Sequence, residues 1–185
     1  MKTYVRINRK IPNFDKILEI PGDKSISIRL ILLTSQAVGK SKVYNLLESD
    51  DVKDTIRSIK SLGVRIKKIN KFYEIEGVGL GGFKHNKNHI INAGNSGTFA
   101  RLICGLLAKN EKTIKLVGDK SLSKRDFYRV IKPLSKFGIS FYTKHNCLPL
   151  KIKGTEFLRP IFYFEKKGSA QVKSSIMLAA LNTPG

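Results

Sequence analysis

Apolar and polar residues along the chain follow a pattern that predicts helices alternating with short strands. Apolar residues recur with helical spacing in five segments, 25–38, 52–62, 96–107, 122–137 and 169–181. Alternating or β-branched segments predict strands at 3–7, 17–20, 42–46, 64–69, 72–75, 89–92, 113–117, 139–143, 148–152 and 161–164. Gly39, Gly63 and Gly138 follow three of the helices, as is typical of helix C-termini.

The order of these elements repeats about every 75 residues, which predicts a repeated supersecondary unit. Arg29-Leu30-Ile31 and Arg101-Leu102-Ile103 occupy matching helices, and Gly63 matches Gly138. The repeat has the form βαβαββ, with units at 21–88 and 89–160 and a partial third unit at 161–185. One unit alone cannot cover its helices. We therefore expect an α/β (α+β) fold with the helices packed inside, the sheets outside and one incomplete lobe.

The first helix of each unit begins with small polar residues, Lys24-Ser25, Asn95-Ser96-Gly97-Thr98 and Ser169-Ala170-Gln171. For any one of them, an ordinary helix cap is a sufficient explanation. Three such starts at equivalent places favour an anion site built from helix N-termini, where free N–H groups and the helix dipole attract negative charge. Glycine at position 97 would let a ligand approach the main chain closely. The cations expected around this site are Lys24, Arg29, Arg101 and Arg125.

The net charge of +21 implies anionic partners, which the composition alone leaves open among nucleic acid, an acidic membrane surface and small phosphorylated or carboxylated substrates. Cys104 and Cys147 form no metal-ligand cluster, and the apolar surroundings of Cys104 predict a buried free thiol. The three histidines lie in loop-like segments, so no zinc site is expected. Without a signal core or a membrane-length apolar run, we expect a cytoplasmic protein.

Four motifs resemble those of the 5-enolpyruvylshikimate-3-phosphate (EPSP) synthase, or 3-phosphoshikimate 1-carboxyvinyltransferase, family. They are Pro21-Gly22-Asp23-Lys24-Ser25-Ile26-Ser27-x-Arg29, Gly94-Asn95-Ser96-Gly97-Thr98-x-x-Arg101-Leu102, Gly118-Asp119-x-Ser121-Leu122-x-x-Arg125 and Ser169-Ala170-Gln171-Val172-Lys173-Ser174. The last motif and the ending Leu181-Asn182-Thr183-Pro184-Gly185 are similar to the class II branch. The resemblance implies the N-terminal part of a two-lobed fold, with 1–20 on the side of the hinge and the other lobe and 21–185 in a substrate-binding lobe.

The resemblance implies transfer of the enolpyruvyl group from phosphoenolpyruvate to the 5-hydroxyl of shikimate 3-phosphate, in aromatic amino-acid biosynthesis. It assigns shikimate 3-phosphate to Lys24, Ser25, Arg29, Ser169, Ala170 and Gln171. It assigns phosphoenolpyruvate to Lys24, Gly97, Arg125 and Gln171, with Lys24 as the catalytic residue present and Asn95 and Arg101 in support. It implies no metal or organic cofactor, no nucleic-acid or membrane partner, and a monomeric full-length enzyme.

Two further expectations come from the resemblance. The acid/base carboxylates of the family lie beyond Gly185, so we expect the chain by itself to be catalytically inert. Gly97 leaves the space that an alanine would fill, so we expect the full-length enzyme to be sensitive to glyphosate.

Two positions depart from the family pattern, and three alternatives stay open. Ile28 replaces a histidine, and Asp126 replaces a proline where its carboxylate could pair with Arg125. One alternative is the enolpyruvyl transferase for UDP-N-acetylglucosamine, although neither cysteine lies on a plausible mobile loop. Another is a nucleic-acid module sharing the repeat, such as RNA 3′-phosphate cyclase, although the basic residues are scattered and the aromatic residues form no stacking pattern. The third is a regulatory or pseudoenzyme fragment.

Overall fold

The computed structural model of the protein describes residues 6, 8, 15, 17 and 19–184. Five α-helices occur in this part of the chain: α1 (Lys24–Ser35), α2 (Asp50–Ser61), α3 (Gly97–Leu106), α4 (Tyr128–Lys136) and α5 (Ala170–Ala180). Seven strands accompany them: β1 (Val38–Tyr44), β2 (Arg65–Ile69), β3 (Phe72–Val78), β4 (His89–Asn92), β5 (Ile114–Val117), β6 (Ser140–Thr143) and β7 (Leu150–Lys153). A 3₁₀ turn spans Leu122–Lys124.

The two sheets repeat one strand order. The first sheet has the order β1-β3-β2 and the second has the order β4-β5-β7-β6. Every pair in the first sheet is antiparallel, as are the matching pairs β5–β7 and β6–β7, while β4 lies parallel to β5. The predicted βαβαββ order is therefore complete from β4 to β7, and from α1 to β3 the same order lacks only its first strand among the described residues.

The helices form the interior and the sheets form the outside, as predicted. Helices α3 and α5 pack along each other, α1 contacts both α2 and α3, and α4 contacts α5. In β7, the side chains of Leu150 and Ile152 are buried against the helices while Lys151 and Lys153 face outward. The contact between α3 and α5 is so close that a Cβ atom on Gly105 would overlap the carbonyl oxygen of Ser175.

The first helix ends earlier than its apolar pattern predicts. The sequence predicts a helix over 25–38 closed by Gly39 and a strand over 42–46, but α1 stops at Ser35 and β1 begins at Val38. Gly39 lies inside β1 with φ +89°, directly opposite Gly77 of β3. The ladder between these two strands supplies the backbone hydrogen bonds that a longer helix would otherwise make, so tertiary pairing overrides the local pattern.

The predicted helix over 122–137 is interrupted. The backbone of Arg125 is extended, with ψ 141°, between the 3₁₀ turn and α4. Buried Phe127 donates its backbone N–H to Asn146 O at 2.8 Å, and Asp126 Oδ1 accepts the N–H of Tyr128 at 2.9 Å. These local bonds restart the helix at Tyr128, three residues beyond Arg125. The closing glycines Gly63 and Gly138 are confirmed, since both adopt the left-handed conformation after their helices.

Three predicted strands have other outcomes. Residues 161–164 belong to no strand, so the prediction of a strand there is wrong. Ile17, Glu19 and Ile20 carry no regular structure, so the prediction of a strand at 17–20 is wrong for the described residues. The strand predicted at 3–7 lies outside the described residues except for Arg6. Within the described ranges, no helix is both long and apolar enough to cross a membrane.

Candidate active site

The predicted helix starts are capped by side chains from the sequence motifs. At α1, Asp23 Oδ1 accepts the N–H of Ile26 at 2.8 Å. At α3 and α5, the hydroxyls of Ser96 and Ser169 accept the N–H groups of residues 99 and 172 at 3.2 and 3.4 Å. The remaining N–H groups of each first turn have no partner within their own helix and are available to an anion.

The starts of α3 and α5 meet at a cleft of about 450 Å³. The amide of Gln171, in the first turn of α5, donates from Nε2 to Thr98 Oγ1 of α3 at 3.1 Å. The cleft is lined by three arginines, one aspartate and the start of α5: Arg101, Arg125, Arg129, Asp126, Ser169, Gln171 and Val172. The structure thus brings together four residues that the sequence analysis assigned to ligands or their support.

Two guanidinium groups flank Gly97, the first residue of α3. A Cβ atom on Gly97 would lie 2.9 Å from Arg101 Nη1 and 3.0 Å from Arg125 Nη1. Arg101 donates to Gly97 O at 3.2 Å and to Asp126 O at 3.1 Å, and its guanidinium lies 4.9 Å from the centre of the Phe127 ring. Burial, and then the nearby charge of Arg125, lower the pKa of Arg101 below its ordinary value. Two like charges held this close favour an anion between them.

Arg125 is held from the side by the loop before α3. Its Nη2 donates to Asn95 Oδ1 at 3.0 Å, and Asn95 Nδ2 donates in turn to Asp119 Oδ2 at 2.6 Å. The other carboxylate oxygen of Asp119 accepts the N–H of Leu122 at 2.6 Å, at the start of the 3₁₀ turn that leads into Arg125. Asn95 therefore contacts Arg125 directly.

The start of α1 is connected to α5 through Arg29 rather than through the cleft. Arg29 donates from Nε and Nη2 to Ser174 Oγ at 3.3 and 3.2 Å, and from Nη1 to Ser25 O at 3.1 Å. Lys24 forms an ion pair with Asp51 at 2.9 Å and does not line the cleft. Ala170 lies beside Ser169 as the first residue of α5, where its N–H is among those that the helix leaves free.

The two departures from the family pattern have structural explanations. Ile28 is fully buried in the core, so its side chain is a packing residue with no access to a ligand. The carboxylate of Asp126 binds the N–H of Tyr128, and Asp126 forms no ion pair with Arg125 among the described residues. The Asp126 carboxylate therefore bonds to the first residue of α4 and forms no direct ion pair with Arg125.

Sequence reasoning assigned no role to four residues at the site: Asp51, Thr98 and Ser174, which bond to predicted residues, and Arg129, which lines the cleft. In the sequence, Asp51 belongs to a helix-cap signal at the start of α2. Its ion pair with Lys24 depends on how α1 and α2 pack. Arg129 follows Arg125 by four residues, a spacing that places both on one face of the continuous helix predicted over 122–137, so the sequence did offer a signal for Arg129. In the structure the two arginines line one cleft although the helix is interrupted at Arg125.

Cys104 is a free, buried thiol, as predicted. Burial raises its pKa to about 12, and its Sγ donates to Ala100 O at 3.1 Å. Since the thiolate is the reactive form of cysteine, Cys104 lacks the character of a nucleophile. Cys147, the second cysteine, is free and half-buried.

The sequence and fold both match one family of known proteins. A family model described as EPSP synthase (3-phosphoshikimate 1-carboxyvinyltransferase) matches residues 9–185. The 3-phosphoshikimate 1-carboxyvinyltransferases of Streptococcus agalactiae serotypes Ia and V are each 44% identical over 170 residues, which cover 91% of this chain and 40% of theirs. Two EPSP synthase structures from Acinetobacter baumannii superpose with TM-scores of 0.84 and 0.83 at 37% identity, covering 91% of this chain and 38% and 39% of those chains. The chain therefore spans about two fifths of the length of these relatives.

Proposed function

The chain belongs to the EPSP synthase (3-phosphoshikimate 1-carboxyvinyltransferase) family, and on that premise we propose that it forms a substrate-binding lobe for enolpyruvyl transfer. In this proposal the 5-hydroxyl of shikimate 3-phosphate adds to C2 of phosphoenolpyruvate while C3 is protonated. The tetrahedral intermediate then loses phosphate. In the proposal residues 21–185 form the lobe, whereas the segment 1–20, which the resemblance assigns to the hinge and the other lobe, lies mostly outside the described residues.

The observation that carries the proposal is the group of cations at the helix starts. Arg101 and Arg125 flank Gly97 beside the N-terminus of α3, and Ser169 and Gln171 face the same cleft from α5. Fixed cations and N–H dipoles suit a reaction in which charge grows on a departing phosphate, because they need no reorganisation as that charge develops.

We assign the ligands as the family resemblance suggests. Arg125, Gln171, Lys24 and the backbone at Gly97 would receive phosphoenolpyruvate. Shikimate 3-phosphate would contact Lys24, Gln171 and four further residues: Ser25, Arg29, Ser169 and Ala170. The ion pair between Lys24 and Asp51 lies outside the cleft. To contact both ligands, Lys24 therefore has to separate from Asp51, or the two residues have to move together.

The unreactive thiol of Cys104 favours this proposal over the related transferase for UDP-N-acetylglucosamine, for which the sequence analysis expects a cysteine on a mobile loop. The proposal further includes a cytoplasmic setting, a monomeric full-length enzyme, sensitivity of that enzyme to glyphosate, and a 185-residue chain that has no turnover by itself.

Calorimetric titration of the chain with shikimate 3-phosphate tests the proposal. We expect saturable one-to-one binding that is lost in Arg29→Ala, because Arg29 joins the starts of α1 and α5. Arg57→Ala is the matched control, since Arg57 is an exposed arginine on α2 paired with Asp54, and this variant should bind normally. A folded chain that does not bind, or an Arg29→Ala variant that binds as wild type, would contradict the proposed site.

A further inference from the structure

Asp119 accepts hydrogen bonds from the two groups that position Arg125, which are the 3₁₀ turn before it and the Asn95 side chain. Its Oδ1 accepts the N–H of Leu122 at 2.6 Å and so fixes the 3₁₀ turn that ends immediately before Arg125. Its Oδ2 accepts the amide of Asn95 at 2.6 Å. The backbone N–H of Asp119 also donates to Gly94 O at 2.8 Å, which ties the two loops together.

The chemistry of these groups determines the orientation of the Asn95 amide. An ionised carboxylate only accepts hydrogen bonds and a guanidinium only donates them. Asn95 must therefore direct its NH₂ group to Asp119 and its carbonyl oxygen to Arg125, as the distances of 2.6 and 3.0 Å show. The reverse orientation would direct the NH₂ group at the guanidinium and leave both as donors without an acceptor.

We propose that Asp119 is a positioning residue for the anion site: it fixes the Asn95 amide, and this amide holds the Arg125 guanidinium beside Gly97. This inference rests on the proposed function, in which Arg125 receives phosphoenolpyruvate. Arg125 is an exposed arginine with several rotatable bonds, and holding it before the ligand arrives reduces the entropy lost on binding.

The proposal makes a prediction opposite in sign to that of simple electrostatics. If Asp119 acted only through its charge, Asp119→Asn would remove a negative charge near an anion site and strengthen anion binding. If Asp119 acts through Asn95, the same variant weakens binding. The new amide keeps an oxygen for Leu122 N–H but presents NH₂ to Asn95, which must then reverse and direct its own NH₂ at Arg125.

The first experiment measures the Arg125 side chain without any ligand. In ¹H–¹⁵N spectra of the full chain, Arg125→Lys identifies the Arg125 guanidinium signals by their absence. We expect Asp119→Asn to shift and broaden these signals. The double variant Asp119→Asn/Asn95→Asp should restore sharp signals, because a carboxylate at 95 again accepts from both neighbours. Unchanged Arg125 signals in a folded Asp119→Asn chain would overturn the proposal.

The second experiment measures phosphoenolpyruvate affinity in the presence of shikimate 3-phosphate. We expect Asp119→Asn to weaken it at least ten-fold. Asp126→Asn is the matched control: it removes a charge next to Arg125 while keeping an oxygen for Tyr128 N–H, so its affinity should not fall. Affinity that is unchanged or stronger in Asp119→Asn would contradict the proposal. Absence of binding by the wild-type chain would instead contradict the proposed function, and the Arg125 signals would still decide the role of Asp119.

Discussion

Gly97 is the residue at which the absence of a side chain matters most for the candidate site. It is buried at the first position of α3, and the guanidinium groups of Arg101 and Arg125 occupy the space that a Cβ atom would need. Both groups are ends of flexible side chains, so a methyl group would displace them rather than the backbone. Position 97 therefore sets the spacing of the two cations.

We expect Gly97→Ala to change binding and stability in opposite directions. Alanine restricts the unfolded chain more than glycine does, which stabilises a compatible backbone by about 0.4–1 kcal/mol, so the melting temperature should hold or rise. Displacement of the two arginines should weaken phosphoenolpyruvate affinity about ten-fold. Thermal denaturation and calorimetry on the same preparation measure both effects. An unchanged affinity would show that Arg101 and Arg125 do not bind phosphoenolpyruvate beside Gly97.

At the scale of elements, α3 serves two purposes on one face. Gly97, Arg101 and Gly105 follow one another at intervals of four residues and so lie along one side of the helix. The first two belong to the candidate site, and Gly105 allows α5 to approach. Ser175 of α5 reinforces this contact by donating from Oγ to Arg101 O at 2.8 Å. The packing of α5 on α3 thus positions Gln171 and Ser169 at the cleft.

Gly105→Ala should be strongly destabilising even though it also replaces glycine by alanine within α3. The new methyl group would overlap the backbone carbonyl of Ser175, which cannot move without separating the helices. Overpacking of this kind typically costs about 1–3 kcal/mol. Gly97→Ala in the same helix is the matched control, and chemical denaturation compares the free energies of unfolding. Equal stability of the two variants would rule out a close contact between α3 and α5.

At the scale of the whole molecule, the charge of +21 makes the protein responsive to anions. Charge of one sign repels itself in the compact state, and an anion that binds only the folded chain stabilises it further. A general screening effect depends on ionic strength alone, whereas occupancy of the cleft depends on the identity of the anion and on Arg125.

Inorganic phosphate should therefore raise the melting temperature more than chloride at equal ionic strength. Phosphate at ten times its dissociation constant would add about 1.4 kcal/mol, or roughly 3–6 °C for a chain of this size. Arg125→Gln should lose this difference. Lys124→Gln, which removes the same charge from the neighbouring exposed residue, should retain it. A difference that persists in Arg125→Gln would assign the effect to the general surface charge.

The sequence by itself determined the features that depend on neighbouring residues. The periodic spacing of apolar residues indicated the five helices of the described residues, and the closing glycines at 63 and 138 adopt the left-handed conformation that their positions suggested. The caps at Asp23, Ser96 and Ser169 are likewise local, since each side chain bonds the N–H three residues ahead. The repeat then indicated that the two units share one order of helices and strands along the chain.

Only the tertiary structure decided which of these elements meet and where regular structure stops. The pairing of Gly39 with Gly77 ends α1 early, and the bond from Phe127 to Asn146 O accompanies the break after Arg125. The partners of the predicted site residues also come from distant elements, as with Arg29 and Ser174 or Gln171 and Thr98. Such contacts depend on how helices pack across the core. The spacing of residues within one helix does not determine that packing.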